Sequence, residues 1–335
     1  AAFDVALGTF GAQNLFDGTP ASLVRLARAA DAAGIGQITF TDHVIMGERT
    51  DRYPYGRFPV PPEHPWFEPI TLMGAISSVT SRIRLSTGVL IAPLRPASLL
   101  AKQLATLDLL SNGRIDLGVG VGWQREEYQS QGLDFERRWS LLDEQLQAVQ
   151  TLWREAPATH HGASIHFDRL YSVPHPAQTN GVPLWFGVAP TPRQARRIAQ
   201  FGDGWIPIGT APDVVRQGCD LIREAFANAG RDPRSLKVRA HAQLHFPDAS
   251  GKADWARAVD SAHRLAEAGA TVIEFEIVPL LADVAALDAF LARLAALREK
   301  QRQTEVGDLD RAVLAEEDVA RLDIAMHEIV GVRRR

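Results

Sequence analysis

Short β-branched, apolar runs alternate with alanine- and leucine-rich stretches of helical period from one end of the chain to the other. The strands read as Phe3–Gly8, Gln37–Thr41, Arg84–Ala92, Ile115–Val121, Pro183–Val188, Gly204–Ile208, Lys237–His245 and Thr271–Val278, each followed by a helical stretch, which makes eight βα units. Proline opens several helices, at Thr19-Pro20, Thr191-Pro192 and Ala211-Pro212, where its missing N–H does no harm. Three helix ends look alike, DAAGIGQITF, AQFGDGWIPI and AEAGATVIEF, and each predicts a glycine in the left-handed conformation that closes a helix. Eight units without an obvious linker predict an α/β fold, a closed (β/α)8 TIM barrel forming one domain over residues 1–335. Period alone does not show closure, so a doubly wound open sheet is the competing architecture.

Such a barrel needs roughly 250 residues. The chain has 335, so about 85 remain for insertions around the barrel. One follows the second strand, Val44 to Pro65, and is rich in aromatic residues and proline (Tyr53, Pro54, Tyr55, Phe58, Pro59), as a lid would be. Another, His160–Pro176, precedes the fifth strand, and its SIHFDRLYSV alternates enough to form a hairpin. The last residues, 304–335, read as one more amphipathic helix and a basic, solvated tail, Arg333–Arg335.

Composition narrows the function classes. Lys and Arg number 36 against 40 Asp and Glu, giving a net charge of −4, and no basic field is present to attract nucleic acid or an anionic membrane. The one cysteine, Cys219, excludes an internal disulfide framework and a multi-thiolate metal site, and fits a reducing cytoplasm. The opening AAFDVALGTF lacks the basic start and long apolar run of a secretory signal, and no stretch reaches the ~18 uncharged apolar residues of a membrane span. The expectation is a cytoplasmic protein whose partner is a small molecule.

In a barrel of this kind, functional groups gather at the C-terminal ends of the strands. Asp42-His43 follows the second strand and presents a carboxylate and an imidazole together, the latter able to exchange a proton near neutrality. A lone histidine in such a place is as often a structural hydrogen-bonder. Gly118, Gly120 and Gly122 follow the fourth strand, but the third glycine of a G-x-G-x-x-G fingerprint would fall at Trp123, so the dinucleotide reading fails. The surviving readings are close approach of a flat ligand to the backbone, or glycines that ease strand curvature. His160, His161 and His166 lack the spacing of a metal site, and none is expected. His241, Gln243 and His245 share one face of the seventh strand, as Glu274 and Glu276 do on the eighth. They predict either a polar pocket wall or cross-strand hydrogen bonds and ion pairs. Gly187, Val188, Ala189 and Pro190 lead into a helix bearing Arg193, Arg196 and Arg197, where free N–H groups and the helix dipole favour a phosphate.

The stretch TGVLIAPLRPASLLAKQLATLDLLSNGRIDLGVGVGWQREEYQSQGLDFERR, together with TDHV and PLWFGVAPTPRQARRIAQFGDGW, resembles the luciferase-like monooxygenase superfamily, and especially its group of coenzyme F420-dependent oxidoreductases. The resemblance runs from about Phe3 to Pro207; the C-terminal third is similar only in its βα pattern. It implies a barrel holding F420 or FMN across its mouth, with Asp42 contacting the ring system and His43 near the hydride-transferring carbon. It further implies a non-prolyl cis peptide at Gly88-Val89 behind the ring, Gly120 and Gly122 beside it, a phosphate-binding turn at Gly187–Pro190, and a homodimer. One departure is Trp123, which stands where sugar-phosphate dehydrogenases of the F420 group carry a proton-donating glutamate and which suits stacking on a ring or walling the pocket. The expected activity is hydride transfer between F420 and a small apolar or aromatic substrate, with His43 assisting proton transfer. The alternatives are an FMN-dependent monooxygenase and a flavin-binding protein without turnover.

Overall fold

The computed structural model describes residues 2–248 and 250–303; the expected C-terminal helix and tail, 304–335, lie outside the described residues. The first half of the chain runs β1 (Asp4–Gly8), α1 (Pro20–Ala33), β2 (Gln37–Phe40), α2 (Pro69–Ser77), β3 (Arg84–Thr87), β4 (Leu90–Ile91), α3 (Ala97–Leu110), β5 (Ile115–Gly120), α4 (Arg125–Ser130) and α5 (Arg138–Arg154). An antiparallel hairpin follows, β6 (Ala158–His161) and β7 (His166–Leu170), where the alternation of the second insertion predicts one. Then come β8 (Leu184–Val188), α6 (Pro192–Phe201), β9 (Gly204–Pro207), α7 (Pro212–Asn228), β10 (Lys237–His241), α8 (Trp255–Glu267), β11 (Val272–Glu276) and the short α9 (Ile277–Leu280). A last helix occupies 287–303.

The parallel strands pair in the order β3-β2-β1-β11-β10-β9-β8-β5, and β3 also pairs with β5. That last ladder closes the sheet, so the structure is a (β/α)8 barrel and the open-sheet alternative fails. All eight predicted strands are present. The third is not continuous, however: its ladder with β2 stops at Thr87, the Gly88-Val89 peptide is cis, and pairing with β5 resumes at Leu90 as β4. The seventh ends at His241 rather than His245: the Gln243 backbone N–H donates to Ser261 Oγ at 2.9 Å rather than to a neighbouring strand.

Helix boundaries follow the local chemistry. Pro20, Pro192 and Pro212 are the first residues of their helices, and the Thr191 hydroxyl accepts from Gln194 N at 3.3 Å. Gly34 closes α1 at φ 86°, as expected, and Gly269 follows α8 at φ 111°. Gly202 departs from the pattern: its backbone is extended, with φ −109°. It is small for another reason, since a Cβ there would lie 2.7 Å from the Phe186 ring.

Alternation along the strands sorts the wall. Val5, Leu7, Ile38 and Leu85 are fully buried in the hydrophobic core with apolar faces of the helices such as Leu26, Met73 and Leu104. The residues between them meet inside the barrel, where the filling is largely polar. Arg239 on β10 is wholly buried and donates to Gln37 Oε1 (2.8 Å), Ser86 Oγ (2.7 Å) and the Thr87 carbonyl (2.8 Å). Because β10 and β3 are not neighbours, these bonds cross the interior. Gln37 and Arg84 both donate to Asp116, and Thr39 donates to Glu274 at 2.6 Å. A buried charge is tolerable only when paired in this way. The network plugs the barrel below its C-terminal mouth and leaves the mouth open.

Candidate active site at the barrel mouth

A cavity of about 1190 Å³ opens at the C-terminal ends of the strands. Its volume exceeds the ~1000 Å³ upper range of ordinary ligand pockets, which leaves room for a large ligand or for two molecules. Asp42 and His43, directly after β2, both line it, but their side chains do different work.

Both oxygens of Asp42 are engaged in the wall. Oδ2 accepts from Ile91 N (2.8 Å) and Arg95 Nη1 (2.8 Å), and Oδ1 from Arg95 Nη2 (3.0 Å). Arg95 also donates to Glu68 at 2.9 Å. Burial alone would lower the Arg95 pKa, but its bonds to Asp42 and Glu68 outweigh burial and raise it. The pair therefore holds β4, with the Gly88-Val89 turn before it, against the end of β2.

His43 faces inward. Its Nδ1 lies 3.0 Å from Glu127 Oε2, while Glu127 Oε1 accepts from Val44 N at 3.0 Å. Glu127 is completely buried, and 9 % of the His43 side chain is accessible. A carboxylate at this distance accepts from an Nδ1–H, and in the neutral ring that leaves Nε2 as the acceptor toward the cavity. The short helix α4 brings Glu127 here, pinned by Tyr128, whose hydroxyl donates to the Val121 carbonyl at 2.6 Å.

Aromatic rings surround the imidazole. Trp66 stands edge-on at 4.6 Å between centroids, with Trp123 at 6.0 Å and Phe58 at 6.1 Å. Tyr53 and Phe58, from the insertion after β2, lie 5.2 Å and 5.1 Å from Trp123. Trp123 thus walls the cavity. The insertion is fastened at its root: Gln124, almost wholly buried, accepts from Gly47 N (2.7 Å) and donates to Gly47 O (3.0 Å).

The glycines of β5 and β8 have a specific cause. A Cβ on Gly120 would lie 2.6 Å from Val89 Cγ2, and one on Gly187 would lie 2.6 Å from Val89 Cγ1. Gly122, at φ 64°, has Ile91 within 3.0 Å of the same construction. Val89 therefore stands between two strands that lack side chains, and Gly88, Val89, Gly120, Gly122 and Gly187 together line one wall. The glycines make room for the bulge, which in turn forms part of the cavity wall.

The model of luciferase-like monooxygenases matches residues 3–327. The chain belongs to the luciferase-like monooxygenase family. That membership makes it an oxidoreductase. Within this family, an uncharacterized Mycobacterium tuberculosis protein is 36% identical over 230 residues, 68% of this chain and 75% of the relative. A solved F420-dependent secondary alcohol dehydrogenase, in complex with an F420-acetone adduct, superposes with a TM-score of 0.70 at 16% identity, covering 89% of this chain and 99% of that one. The oxygenating constituent of a Pseudomonas putida 3,6-diketocamphane monooxygenase, in complex with FMN, gives a TM-score of 0.57 at 16% identity over 73% and 68% of the two chains. Both likenesses are likenesses of fold.

This luciferase-like barrel brings Asp42, His43, Gly88, Val89, Gly120, Gly122, Trp123, Gly187, Val188 and Ala189 to a single cavity. Pro190 and Arg193 are not among its lining residues: Pro190 packs under α7 at Gly218, and Arg193 is exposed. Arg197 is committed elsewhere, bonded to Asp143 at 2.5 Å and 2.8 Å and stacked on Trp139. At the α6 end of the cavity the lining consists of Thr191, Gln194 and Arg138. Sequence reasoning missed Arg138, Trp66, Phe10 and the pairing of His43 with Glu127. Glu127 lies only five residues after Gly122 in the chain, but only folding shows that α4 returns it to β2.

The strand-face polar residues divide. Glu274 belongs to the internal network, His241 and Glu276 line the cavity, and Gln243 and His245 line a separate depression beside α8. Both sequence readings of these residues thus apply, each to a different member. Among the described residues no helix is long and apolar enough to cross a membrane.

Proposed function

We propose that the chain is a coenzyme F420-dependent oxidoreductase acting on a small apolar or aromatic molecule with a reducible or oxidisable oxygen function. The observation that carries this reading is the His43–Glu127 pair, set in an aromatic box opposite the Val89 bulge. It offers one oriented proton-exchanging nitrogen to a cavity large enough for a tricyclic cofactor and a substrate together.

The residues fit such a cofactor. The Val89 wall with its flanking glycines gives a surface without projecting side chains on β5 and β8, and Trp66 Nε1 is enclosed beside His43 without a hydrogen-bond partner. Asp42, Gly88, Val89, Gly120, Gly122 and Trp123 would flank the ring system. Gly187, Val188 and Ala189, with Pro190 at the turn, would lead to a phosphate at the α6 N-terminus, where amide N–H groups and Arg138 supply positive charge. Arg193 would act there only as a distant charge. When bound, the deazaflavin supplies or accepts a hydride.

The chain's own contribution is positioning, water exclusion and proton transfer. Glu127 holds the His43 tautomer, Nε2 takes the proton from a substrate hydroxyl or, in the reverse direction, returns it, and the aromatic insertion acts as a lid that keeps bulk water away. The second reading, an FMN-dependent monooxygenase, draws on the family match over residues 3–327. A flavin-binding protein without turnover accounts less well for the oriented His43–Glu127 pair. The two enzyme readings separate in anaerobic assays with oxidised and reduced F420 against a panel of aromatic and alicyclic alcohols and ketones. The proposal expects F420-linked turnover without oxygen; activity only with reduced FMN and oxygen would select the second reading. We place the enzyme in the cytoplasm as a homodimer, expectations that size-exclusion chromatography and cell fractionation check.

A further inference from the structure

We propose that Glu276 is a second proton-bearing group of the cavity: a neutral carboxyl whose O–H, on the oxygen that reaches the cavity, donates to an acceptor oxygen or nitrogen of the bound molecule. The proposal rests on the reading above only in taking the cavity as the ligand site.

Glu276 ends β11 and folds its carboxyl over β1. A Cβ on Gly8 would lie 2.6 Å from Glu276 Cδ and Oε2, so the glycine leaves the space this carboxyl fills. Glu276 lines the cavity, with 24% of its side chain accessible, yet Oε2 is enclosed and has no hydrogen-bond partner within the protein. His241, on the adjacent β10, also lines the cavity and places Nδ1 at 3.7 Å from Glu276 Oε1 and 3.8 Å from Glu274 Oε1.

The two neighbouring carboxyls are not equivalent. Glu274 accepts from Thr39 Oγ1 at 2.6 Å and has Arg239 Nε 2.9 Å from Oε2. Burial pushes its pKa up, but the charges of His241 and Arg239 and the Thr39 bond outweigh burial and hold it below the usual value. Glu276 has neither a hydroxyl nor a guanidinium bonded to it, and His241 Nδ1, 3.7 Å from its Oε1, is beyond hydrogen-bond distance. Burial, and then the Glu274 charge, push it up to about 8, against weaker lowering by the Phe10 backbone and by Arg239. The charged and titratable groups around it are thus Glu274, His241 and Arg239, while β1 contributes the uncharged Gly8. Like-charged carboxylates this close are relieved when one of them keeps a proton, and the O–H of a carboxyl lining the cavity is then free to meet an acceptor on a bound molecule.

A divalent cation is the competing neutraliser, since ligand atoms of His241, Glu274 and Glu276 lie within 4.8 Å of one another. Glu274 disfavours it: one oxygen already accepts from Thr39, and the other faces a guanidinium that would repel a cation.

The test is infrared spectroscopy of the full chain, taking the protonated-carboxyl stretch as wild type minus Glu276→Gln. The expected result is a band lost in that variant, present at pH 6.5 and titrating away near pH 8. It should move on addition of FMN or F420, or of acetophenone to the cofactor-loaded protein, and the probe that moves it identifies whether cofactor or substrate supplies the acceptor. Affinity for that probe should fall about fivefold as Glu276 ionises, the loss of one neutral hydrogen bond, while Glu276→Gln, a donor at every pH, stays flat. Gly8→Ala should fold normally yet shift the band, since its methyl displaces only the flexible carboxyl end. Absence of a Glu276 band at pH 6.5, a band indifferent to all three probes, or its removal by micromolar Zn²⁺ would overturn the proposal. If neither cofactor binds, the visible spectra report that failure of the proposed function separately, and acetophenone added to the apo protein then decides the present proposal: a moved band supports it and an unmoved band overturns it.

Discussion

In the proposed reaction, His43 is where residue chemistry and activity meet most directly. Removing its imidazole leaves the Val89 wall and the α6 turn intact, so His43→Ala should keep cofactor affinity within about twofold. The hydride-transfer step should slow by roughly 10²–10⁴, the usual contribution of a positioned acid–base group. Glu127→Gln should cost less rate but should tilt the pH profile, because an amide no longer enforces one tautomer; single-turnover kinetics separate the two effects. Asp42-His43 was legible as a pair in the sequence because it directly follows an apolar strand. Its division of labour was not, because Arg95 and Glu127 reach it from segments 53 and 84 residues away in the chain. The glycines of β5 were visible as a run, yet their cause lies in Val89, another through-space fact. Gly120→Ala, with its methyl 2.6 Å from Val89 Cγ2, should destabilise the fold by about 1–3 kcal/mol through overpacking. Thermal unfolding measures this, and Gly120→Ala with Val89→Ala should recover much of the loss.

Between elements, α1 is tied to the start of β3 by one carboxylate. Asp31 accepts from Ile83 N at 2.7 Å, Arg82 N at 2.9 Å and Ser81 N at 3.0 Å. Burial would raise its pKa, but these three N–H donors outweigh burial and lower it. A lowered carboxylate stabilises the fold fully above its unfolded pKa, near 3.8, and the contribution fades as pH falls through the lower folded value. Asp31→Ala should therefore destabilise by about 2–3 kcal/mol at pH 7, for loss of charge-assisted bonds and exposure of unpaired donors. The deficit relative to wild type should shrink below pH 4, as denaturant melts at both pH values would show. Elements were the most readable level of this chain, since period, proline starts and glycine stops are local signals. The break between β3 and β4 was not written in period; the long apolar run Arg84–Ala92 reads straight through it. Gly202 misled for a related reason: a glycine after a helix signals a left-handed cap, but here it is packing against Phe186 that requires it.

For the whole molecule, closure of the barrel was inferred from the count of units and is established by the β3–β5 ladder. Of the polar plug of Arg239, Gln37, Asp116 and Glu274, strand alternation singled out Glu274 alone, since the partners depend on which strands face one another across the interior. It leaves one deep, aromatic-walled cavity at the end where such barrels do their chemistry. The central claim is that this cavity is the seat of a deazaflavin. The most direct test is an equilibrium titration of the purified chain with oxidised F420 and, separately, with FMN, followed by cofactor fluorescence and repeated with Ala189→Trp, which projects a large ring into the cavity from an exposed position. Saturable binding of F420, tighter than FMN and abolished by Ala189→Trp, is the predicted result. Tight FMN binding with no affinity for F420, or F420 binding untouched by Ala189→Trp, would contradict it.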